Sequence, residues 1–129
     1  MAAAPILSVL VVDDYPDTAH SLAELVRLSG HRARVAHTGA EALRLAGRSA
    51  PDVVILDVDL PDADGYDVVE RLRALPGCRP LFVVVTGLQN TEGRSRVAGI
   101  DHHFLKPADP AALMGLIGEC AGSLVAPAD

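Results

Sequence analysis

The chain has 129 residues, half of them hydrophobic, and a formal net charge of −6. This length allows one domain with a sizeable core, and the acidic balance argues against direct nucleic-acid binding, which needs a basic stripe to neutralise phosphates. Because no apolar run approaches the roughly 18 residues that span a bilayer, and because Cys78 and Cys120 have the spacing of neither a metal site nor a disulfide framework, we expect one cytoplasmic domain without membrane contact.

Five apolar, mostly β-branched runs alternate with segments of helical period, which predicts βαβ units and a parallel α/β sheet. The first predicted strand is Leu7–Val12. The first helix begins near Pro16, a residue tolerated in an opening turn, and ends at Gly30. Its buried stripe is predicted to include Ala19, Leu22, Ala23, Val26 and Leu28.

The second predicted strand, Arg32–Ala36, leads into a helix that opens with a capping box. In this box Thr38 is followed three residues later by Glu41. Pro51 closes the turn into the third strand, Val53–Leu56. The apolar positions of the second helix include Ala42, Leu43, Leu45 and Ala46.

The third predicted helix follows Asp64 and Gly65, and Pro76 with Gly77 breaks it. The fourth strand is Leu81–Val85. The apolar positions of the third helix are Val68, Val69, Leu72 and Leu75.

Helix four is the weakest of the predicted helices. Between Asn90 and Gly99 its only apolar anchors are Val97 and Ala98, and Gly93 costs about 1 kcal/mol relative to alanine in a helix interior. We therefore expect this helix to be short. The fifth strand, His103–Leu105, precedes a last helix with Asp109 as N-cap and Pro110 at its first position.

Polar residues follow four of the five predicted strands. Asp13 and Asp14 follow the first, Asp57 the third, Thr86 the fourth and Lys106 the fifth. In an open parallel α/β sheet, ligands bind outside the carboxyl ends of the strands, so these side chains should converge. Three carboxylates, a hydroxyl and an amine predict a site for a divalent cation and a phosphoryl group.

The clustered acids need a cation beside them. Two carboxylates about 4 Å apart repel by roughly 4 kcal/mol at an effective dielectric of about 20. Hard carboxylate oxygens suit Mg²⁺, which combines a few carboxylates with waters and phosphate oxygens. Asp57 is the best candidate nucleophile because it follows the most apolar strand. Taken alone, Asp13 and Asp14 could instead end a strand and cap a helix.

The motifs resemble the receiver domains of two-component response regulators. The resemblance runs from Val9 to about Ile117. It implies an α/β, flavodoxin-like (βα)5 three-layer sandwich whose parallel sheet has the order 2-1-3-4-5, and a single receiver domain over residues 1–129 with a core of about 6–123. Each motif alone is weak evidence for this family, but five of them in the same order are specific for it. The motifs are Leu10–Asp14, Ile55–Pro61, Asp64-Gly65, Thr86-Gly87 and Lys106-Pro107.

The resemblance also implies roles for single residues. Asp57 is the expected phosphoacceptor, Asp14 the direct ligand of Mg²⁺ or Mn²⁺, and Asp13 its water-mediated partner. Asp59 offers its main-chain carbonyl to the metal. The remaining implied residues are the switch hydroxyl of Thr86, the phosphoryl-pairing amine of Lys106 and a cis bond to Pro107.

Two features depart from the usual pattern of the family. Receivers usually carry an aromatic residue three positions before the lysine, and here that switch position is His103. The interval from Thr86 to Lys106 is about two residues shorter than we expect, and the shortfall lies in helix four. The run Gly99–Pro107 is most similar to receivers attached to, or encoded beside, hybrid histidine kinases.

Several residues have ordinary structural interpretations. We expect Asp59 and Asp62 to carry solvated turn carboxylates. His20, His31 and His37 are expected to be half-exposed surface residues.

Three functional hypotheses follow. The first is a receiver that accepts a phosphoryl group from a histidine kinase or histidine phosphotransfer protein and acts on an unknown downstream protein. It is a signalling module that catalyses its own phosphorylation and slow dephosphorylation. The second is a receiver-like module that works without phosphorylation. The third is a phosphohydrolase of haloacid-dehalogenase type, because Asp57-Val58-Asp59 resembles the nucleophile of that family and the acid two residues after it. In that family the motif follows the first strand, whereas here it follows the third.

We adopt the first hypothesis. We expect no effector domain after Leu124, and we expect from Met1 and the tail 126–129 that the chain is a complete stand-alone product.

Overall fold

The computed structural model describes residues 5–124. Strands and helices alternate along this part of the chain, as the βαβ pattern predicts. The elements are β1 (Ser8–Val12), α1 (Pro16–Leu28), β2 (Arg32–Ala36), α2 (Gly39–Arg48), β3 (Val53–Leu56), α3 (Gly65–Ala74), β4 (Leu81–Thr86), α4 (Glu92–Val97), β5 (His102–Leu105) and α5 (Pro110–Leu124). No helix among the described residues has the length and apolar content needed to cross a membrane.

The strands form one parallel sheet in the order β2-β1-β3-β4-β5. The register pairs Val12 with both Ala36 and Leu56, and it pairs Leu56 with Val84. The carboxyl ends of neighbouring strands therefore lie side by side at one edge of the sheet. The predicted flavodoxin-like (βα)5 arrangement and its strand order are confirmed.

Helices cover both faces of the sheet. Successive strand residues point to opposite faces, so Leu10 and Leu56 join a buried cluster with α2 and α3. Val11 and Ile55 join a second cluster with α1 and α5. Because β1 and β3 are buried on both faces, they are nearly continuous apolar runs in the sequence.

Three strand ends differ from their predicted positions by one residue. β4 extends to Thr86, and β5 begins at His102. β1 begins at Ser8 rather than Leu7. The main-chain N–H of Leu7 donates to Nδ1 of His31 at 3.0 Å, so it is paired with a side chain instead of a neighbouring strand.

The predicted buried stripe of α1 is right for Ala19, Ala23 and Val26 but wrong for Leu28, which is 76% exposed. Leu28 lies two residues after Val26, about 200° further around the helix, so it points away from the sheet. Beyond the helix, Gly30 has a φ of 94° and turns the chain into β2.

The predicted capping box opens α2. The hydroxyl of Thr38 accepts a hydrogen bond from the main-chain N–H of Glu41 at 3.1 Å. The carboxylate of Glu41 accepts from the N–H of His37 at 2.9 Å, one residue before the N-cap. Both bonds satisfy N–H groups that the helix itself cannot pair.

Asp62 is an exposed turn carboxylate, as expected, but it also has a structural role that the sequence did not predict. Its two oxygens accept hydrogen bonds from the main-chain N–H groups of Gly39 at 2.8 Å and Ala40 at 3.0 Å, in the first turn of α2. These hydrogen bonds lower the pKa of Asp62 below its ordinary value of 3.8. Free N–H groups at a helix start attract an anion, and the fold brings this carboxylate to them from the β3–α3 loop.

α4 is short, as predicted, but Val97 does not anchor it. The side chain of Val97 is 91% exposed, while Ala98 just after the helix is half-buried against the core. The buried residue of α4 is the polar Ser95, at 3% exposure. Polar contacts therefore take the place of the apolar anchoring that the sequence suggested.

Candidate functional site

One ammonium group links two carboxylates at the carboxyl edge of the sheet. Nζ of Lys106 donates to Oδ2 of Asp13 at 2.7 Å and to Oδ2 of Asp57 at 2.8 Å. The three residues follow β5, β1 and β3 and come together because the parallel strands end at the same edge.

Main-chain groups fix both carboxylates. Oδ1 of Asp13 accepts a hydrogen bond from the N–H of Tyr15, and Oδ1 of Asp57 accepts one from the N–H of Asp59, each at 2.9 Å. Each carboxylate thus has one oxygen held by the backbone and the other by the ammonium of Lys106. The side chains of Asp13 and Asp57 are therefore held in place through both of their oxygens.

Burial and charge act in opposite directions on Lys106. Its partial burial alone would lower the pKa of the ammonium group, but the hydrogen bonds and charges of Asp13 and Asp57 outweigh that effect and raise the pKa above 10.5. Asp13 and Asp57 are only 5% and 7% exposed. Lys106 therefore stays charged and balances carboxylates that water scarcely reaches.

A third carboxylate completes an acidic cluster. One oxygen each from Asp13, Asp14 and Asp57 lie within 4.8 Å of one another. Asp14 is exposed, and its side chain has no hydrogen bond or ion pair among the described residues. This set of hard oxygen donors with an accessible member fits a divalent cation that keeps several waters, such as Mg²⁺.

The two predicted switch residues, Thr86 and His103, are joined only indirectly. Thr86 is fully buried at the end of β4, and its hydroxyl accepts a hydrogen bond from the N–H of Leu88 at 3.1 Å. The hydroxyl of Thr91 lies 3.3 Å from the carbonyl oxygen of Leu88 and 2.8 Å from Nε2 of His103. Leu88 and Thr91 therefore connect the site to β5.

The remaining predicted residues lie around this centre. The peptide bond between Lys106 and Pro107 is cis. The Asp59 side chain is exposed, and its main chain forms an isolated antiparallel bridge with Asp64. The N–H of Lys106 donates to the carbonyl of Thr86 at 2.9 Å, which fixes the lysine beside the end of β4.

Sequence reasoning missed Tyr66, which lies next to the site loops. The Tyr66 ring is buried, and its hydroxyl contacts Ser95 and Thr91 in and before α4. A tyrosine at an otherwise apolar helix position was the available signal, because a buried tyrosine hydroxyl usually has a hydrogen-bond partner.

An apolar groove opens beside Lys106 between α1 and α5. Its volume is about 540 Å³, and its lining includes Pro107 and Lys106, whose ammonium contacts Asp13 and Asp57. The apolar lining includes Leu22, Leu25 and Leu113.

Comparison with known proteins shows the family to which this sequence is similar. The family profile described as "Response regulator receiver domain" matches residues 9–118. The transcriptional regulatory protein PrrA of Mycobacterium bovis is 39% identical over 113 residues, which cover 84% of this chain and 47% of PrrA. The sensor histidine kinase RcsC of Salmonella typhi is 32% identical over 83% of this chain and 11% of the kinase. The chain thus spans half or less of these relatives.

Two solved structures illustrate the likeness in three dimensions. A CheY-like response regulator receiver domain from Methylobacillus flagellatus has a TM-score of 0.82 at 32% identity, covering 90% of this chain and 99% of that one. The receiver domain of the sensor histidine kinase PA1611 from Pseudomonas aeruginosa has a TM-score of 0.80 at 27% identity, covering 92% and 99%. That second structure has a magnesium ion coordinated in its active site cleft.

Proposed function

Because the chain belongs to the family of response regulator receiver domains, which are signalling modules of two-component systems, we propose that it accepts a phosphoryl group on Asp57 and thereby switches a protein contact. The donor is a histidine kinase or a histidine phosphotransfer protein. The observation that carries this proposal is the link from Lys106 to both Asp13 and Asp57 beside the accessible Asp14.

The proposed transfer is a displacement at phosphorus. A carboxylate oxygen of Asp57 forms the new P–O bond while the P–N bond to the donor imidazole breaks. The electron pair of that bond stays on the ring nitrogen, which leaves as neutral imidazole when the other ring nitrogen carries a proton. The product is an aspartyl phosphate, the intermediate type known for carboxylate nucleophiles.

The residues around Asp57 prepare it for this step. The N–H of Asp59 holds one carboxylate oxygen, so the side chain cannot rotate freely. Lys106 already lies 2.8 Å from the other oxygen and can move with the negative charge onto a phosphoryl oxygen. Fixed donors and charges of this kind stabilise a transition state without reorganisation during the reaction.

We assign Mg²⁺, or Mn²⁺, to Asp13, Asp14, Asp57 and the main-chain carbonyl of Asp59. Both oxygens of Asp13 accept hydrogen bonds, from Lys106 and from a main-chain N–H. Asp14 is exposed and has no such hydrogen bond within residues 5–124, so it suits direct ligation, and the family resemblance implies that Asp13 contacts the cation through water. When bound, the cation screens the charge of the phosphoryl group.

We propose that Thr86 and His103 carry the switch. When the Thr86 hydroxyl turns to donate to a phosphoryl oxygen, it no longer accepts from the N–H of Leu88 in its present position. Leu88 is joined to Thr91, and Thr91 to His103. A change of charge at Asp57 would thus alter the contacts of His103 on β5.

The groove between α1 and α5 suits the donor protein. It opens beside Lys106, so a partner whose apolar side chains contact Leu22 and Leu113 could present a phosphohistidine to the acidic cluster. The names of PrrA and RcsC indicate a regulator and a kinase. We propose that a downstream protein responds to phosphorylation of this chain, and that the chain acts in the cytoplasm, where free thiols such as those of Cys78 and Cys120 persist.

The test is the intact mass of the protein after incubation with Mg²⁺ and acetyl phosphate. Wild type should gain one phosphoryl group. Asp57→Asn should gain none, because an amide oxygen is a poor nucleophile. Asp67→Asn, the control for loss of an exposed carboxylate, should behave as wild type. Labelling of Asp57→Asn equal to wild type would overturn the assignment.

Two other results would favour the competing hypotheses. A folded, Mg²⁺-binding wild type that takes no label from acetyl phosphate or from a phosphorylated histidine donor would favour the module that works without phosphorylation. Turnover of a small phosphate ester would favour the phosphohydrolase.

A further inference from the structure

α4 is attached to the molecule by polar contacts rather than by a hydrophobic face. It has six residues, and the buried one is Ser95. Most helices in proteins are held by packing of an apolar stripe, and α4 has none, since Val97 is exposed. Ala98 and Ile100 pack against the core just after the helix, and the other contacts that hold α4 come from polar side chains and main-chain groups.

The hydroxyl of Tyr66 holds the start of α4. It lies 3.2 Å from the carbonyl oxygen of Thr91 and 2.7 Å from the hydroxyl of Ser95. A carbonyl can only accept, so Tyr66 donates to Thr91, and Ser95 donates to Tyr66. Tyr66 and Ser95 are 5% and 3% exposed, so water scarcely competes for these two bonds.

Two arginines complete the attachment between α3 and α4. The guanidinium of Arg94 is paired with the carboxylate of Asp64 and lies 4.6 Å from the centre of the Tyr66 ring. At the other end, Arg73 of α3 donates to the carbonyls of Ala98 and Gly99, where a helix end carries partial negative charge.

We call the contacts of Asp64, Tyr66 and Arg73 with the α4 segment 91–99 the α3–α4 bracket. Gly99 is part of its fit, because its φ is 75° and an added Cβ would lie 3.0 Å from the guanidinium of Arg73. The bracket meets the switch at Thr91, whose carbonyl is bound by Tyr66 and whose hydroxyl reaches Leu88 and His103.

We propose that Tyr66 and Arg94 are positioning residues that hold the 87–91 loop in its resting place and so set how easily Asp57 is phosphorylated. This inference rests on the proposed function. Turning the Thr86 hydroxyl toward a phosphoryl group requires Leu88 to move or to lose its bond to Thr86. Leu88 is held through Thr91, and Thr91 is held by Tyr66, so the bracket opposes that movement.

The direction of the effect follows from the population of the two loop positions. Losing one bracket contact shifts the equilibrium toward the switched position, in which Thr86 already faces the incoming phosphoryl group. Loss of one hydrogen bond of ordinary strength changes such an equilibrium about two- to ten-fold. Weakening the bracket should therefore accelerate labelling of Asp57 by that factor without changing its final extent.

The experiment compares Tyr66→Phe, Arg94→Gln and Arg96→Gln. Tyr66→Phe removes only the hydroxyl and keeps the ring. Arg94→Gln and Arg96→Gln remove the same charge from the same helix, but among the described residues the Arg96 side chain has no hydrogen bond or ion pair. We would measure the rate and extent of acetyl phosphate labelling in Mg²⁺, and hydrogen exchange of residues 88–98 in unphosphorylated protein.

A double-mutant cycle separates coupling from general loosening. The cycle uses Ser95→Ala, Tyr66→Phe and the double variant. Because Ser95 contacts the bracket through the Tyr66 hydroxyl, Tyr66→Phe/Ser95→Ala should label no faster than Tyr66→Phe alone. Faster labelling and faster exchange in Tyr66→Phe and Arg94→Gln, with wild-type behaviour in Arg96→Gln, are the expected results. Labelling of Tyr66→Phe and Arg94→Gln at the wild-type rate would overturn the proposal.

Failure of the proposed function would be recognised separately. In that case no protein, wild type included, would take up a phosphoryl group. Hydrogen exchange alone would then test whether the bracket holds the loop. Equal exchange of residues 88–98 in wild type and Tyr66→Phe would overturn this role, whereas faster exchange in the variant would support it.

Discussion

Lys106 is the only lysine in the chain, and its position shows how much a single residue can depend on the fold. Its side chain is 27% exposed, and its ammonium group lies between two carboxylates that are nearly buried. Without it, Asp13 and Asp57 would repel each other in a place that water barely enters. The charge is therefore needed for stability before any ligand binds.

Replacing Lys106 should separate labelling from switching. We expect Lys106→Ala to lower the free energy of unfolding by about 2 kcal/mol, less than the about 3–5 kcal/mol for breaking a fully buried pair, because the Lys106 side chain is partly exposed. Some labelling of Asp57 should persist, but phosphorylation should no longer change hydrogen exchange of residues 88–98.

Denaturant unfolding without Mg²⁺ and exchange before and after labelling measure the two effects. Arg96→Ala serves as the control because it removes an exposed cation of α4. A Lys106→Ala protein that keeps both the wild-type stability and the wild-type exchange response would contradict this role.

At the scale of the element, α2 and α4 both depend on polar groups supplied by other segments. The start of α2 receives the Asp62 carboxylate from the β3–α3 loop. α4 receives the Tyr66 hydroxyl and the Arg73 guanidinium from α3. Their helical periods alone do not identify these contacts, because each one joins residues more than 20 positions apart.

Asp62→Asn should lower the melting temperature in a way that depends on pH. The pKa of Asp62 is lower in the folded protein than its ordinary 3.8, so its charged form stabilises the fold above about pH 3.8, and this stabilisation is lost as the pH falls through the folded value. The variant should melt below wild type at pH 7, and the difference should shrink in acid.

Thermal melts of wild type and Asp62→Asn between pH 7 and pH 3 test this, with Asp67→Asn as the control for loss of an exposed carboxylate. A difference between wild type and Asp62→Asn that is independent of pH would show that the charge of Asp62 has no part in it.

At the scale of the whole molecule, the sheet order decides which side chains meet. β1 and β3 are neighbours in the sheet although α1, β2 and α2 separate them along the chain. Their parallel alignment brings Asp13 and Asp14 beside Asp57. An unfolded chain has no such cluster, so a cation that binds there must favour the folded state.

Mg²⁺ should therefore raise the melting temperature in a concentration-dependent way. Above the dissociation constant, each ten-fold increase of free Mg²⁺ should add about 1.4 kcal/mol to the free energy of unfolding. Asp14→Asn should lose most of this increase because it removes the exposed carboxylate of the cluster. Calorimetric melts of both proteins over a series of Mg²⁺ concentrations test this prediction. An Asp14→Asn protein that Mg²⁺ stabilises as much as wild type would argue against Asp14 as a metal ligand.

The sequence determined the strands, their parallel order through its family resemblance, and the residues at their ends. Those signals are local, because an apolar run followed by a polar residue is visible wherever it occurs. Apolarity alone did not predict that Leu28 and Val97 are exposed. For Leu28 the helical period, which places it about 200° from Val26, was the available signal.

Only the tertiary structure decided how Lys106 joins two carboxylates and how α4 is held. The Lys106 contacts join residues 93 and 49 positions apart, and the Tyr66 and Arg94 contacts join residues 25 to 30 apart. Hydrogen bonds and ion pairs require atoms within a few ångströms and in suitable directions. Packing of the helices on the sheet sets those positions, so no local pattern of residues can specify them.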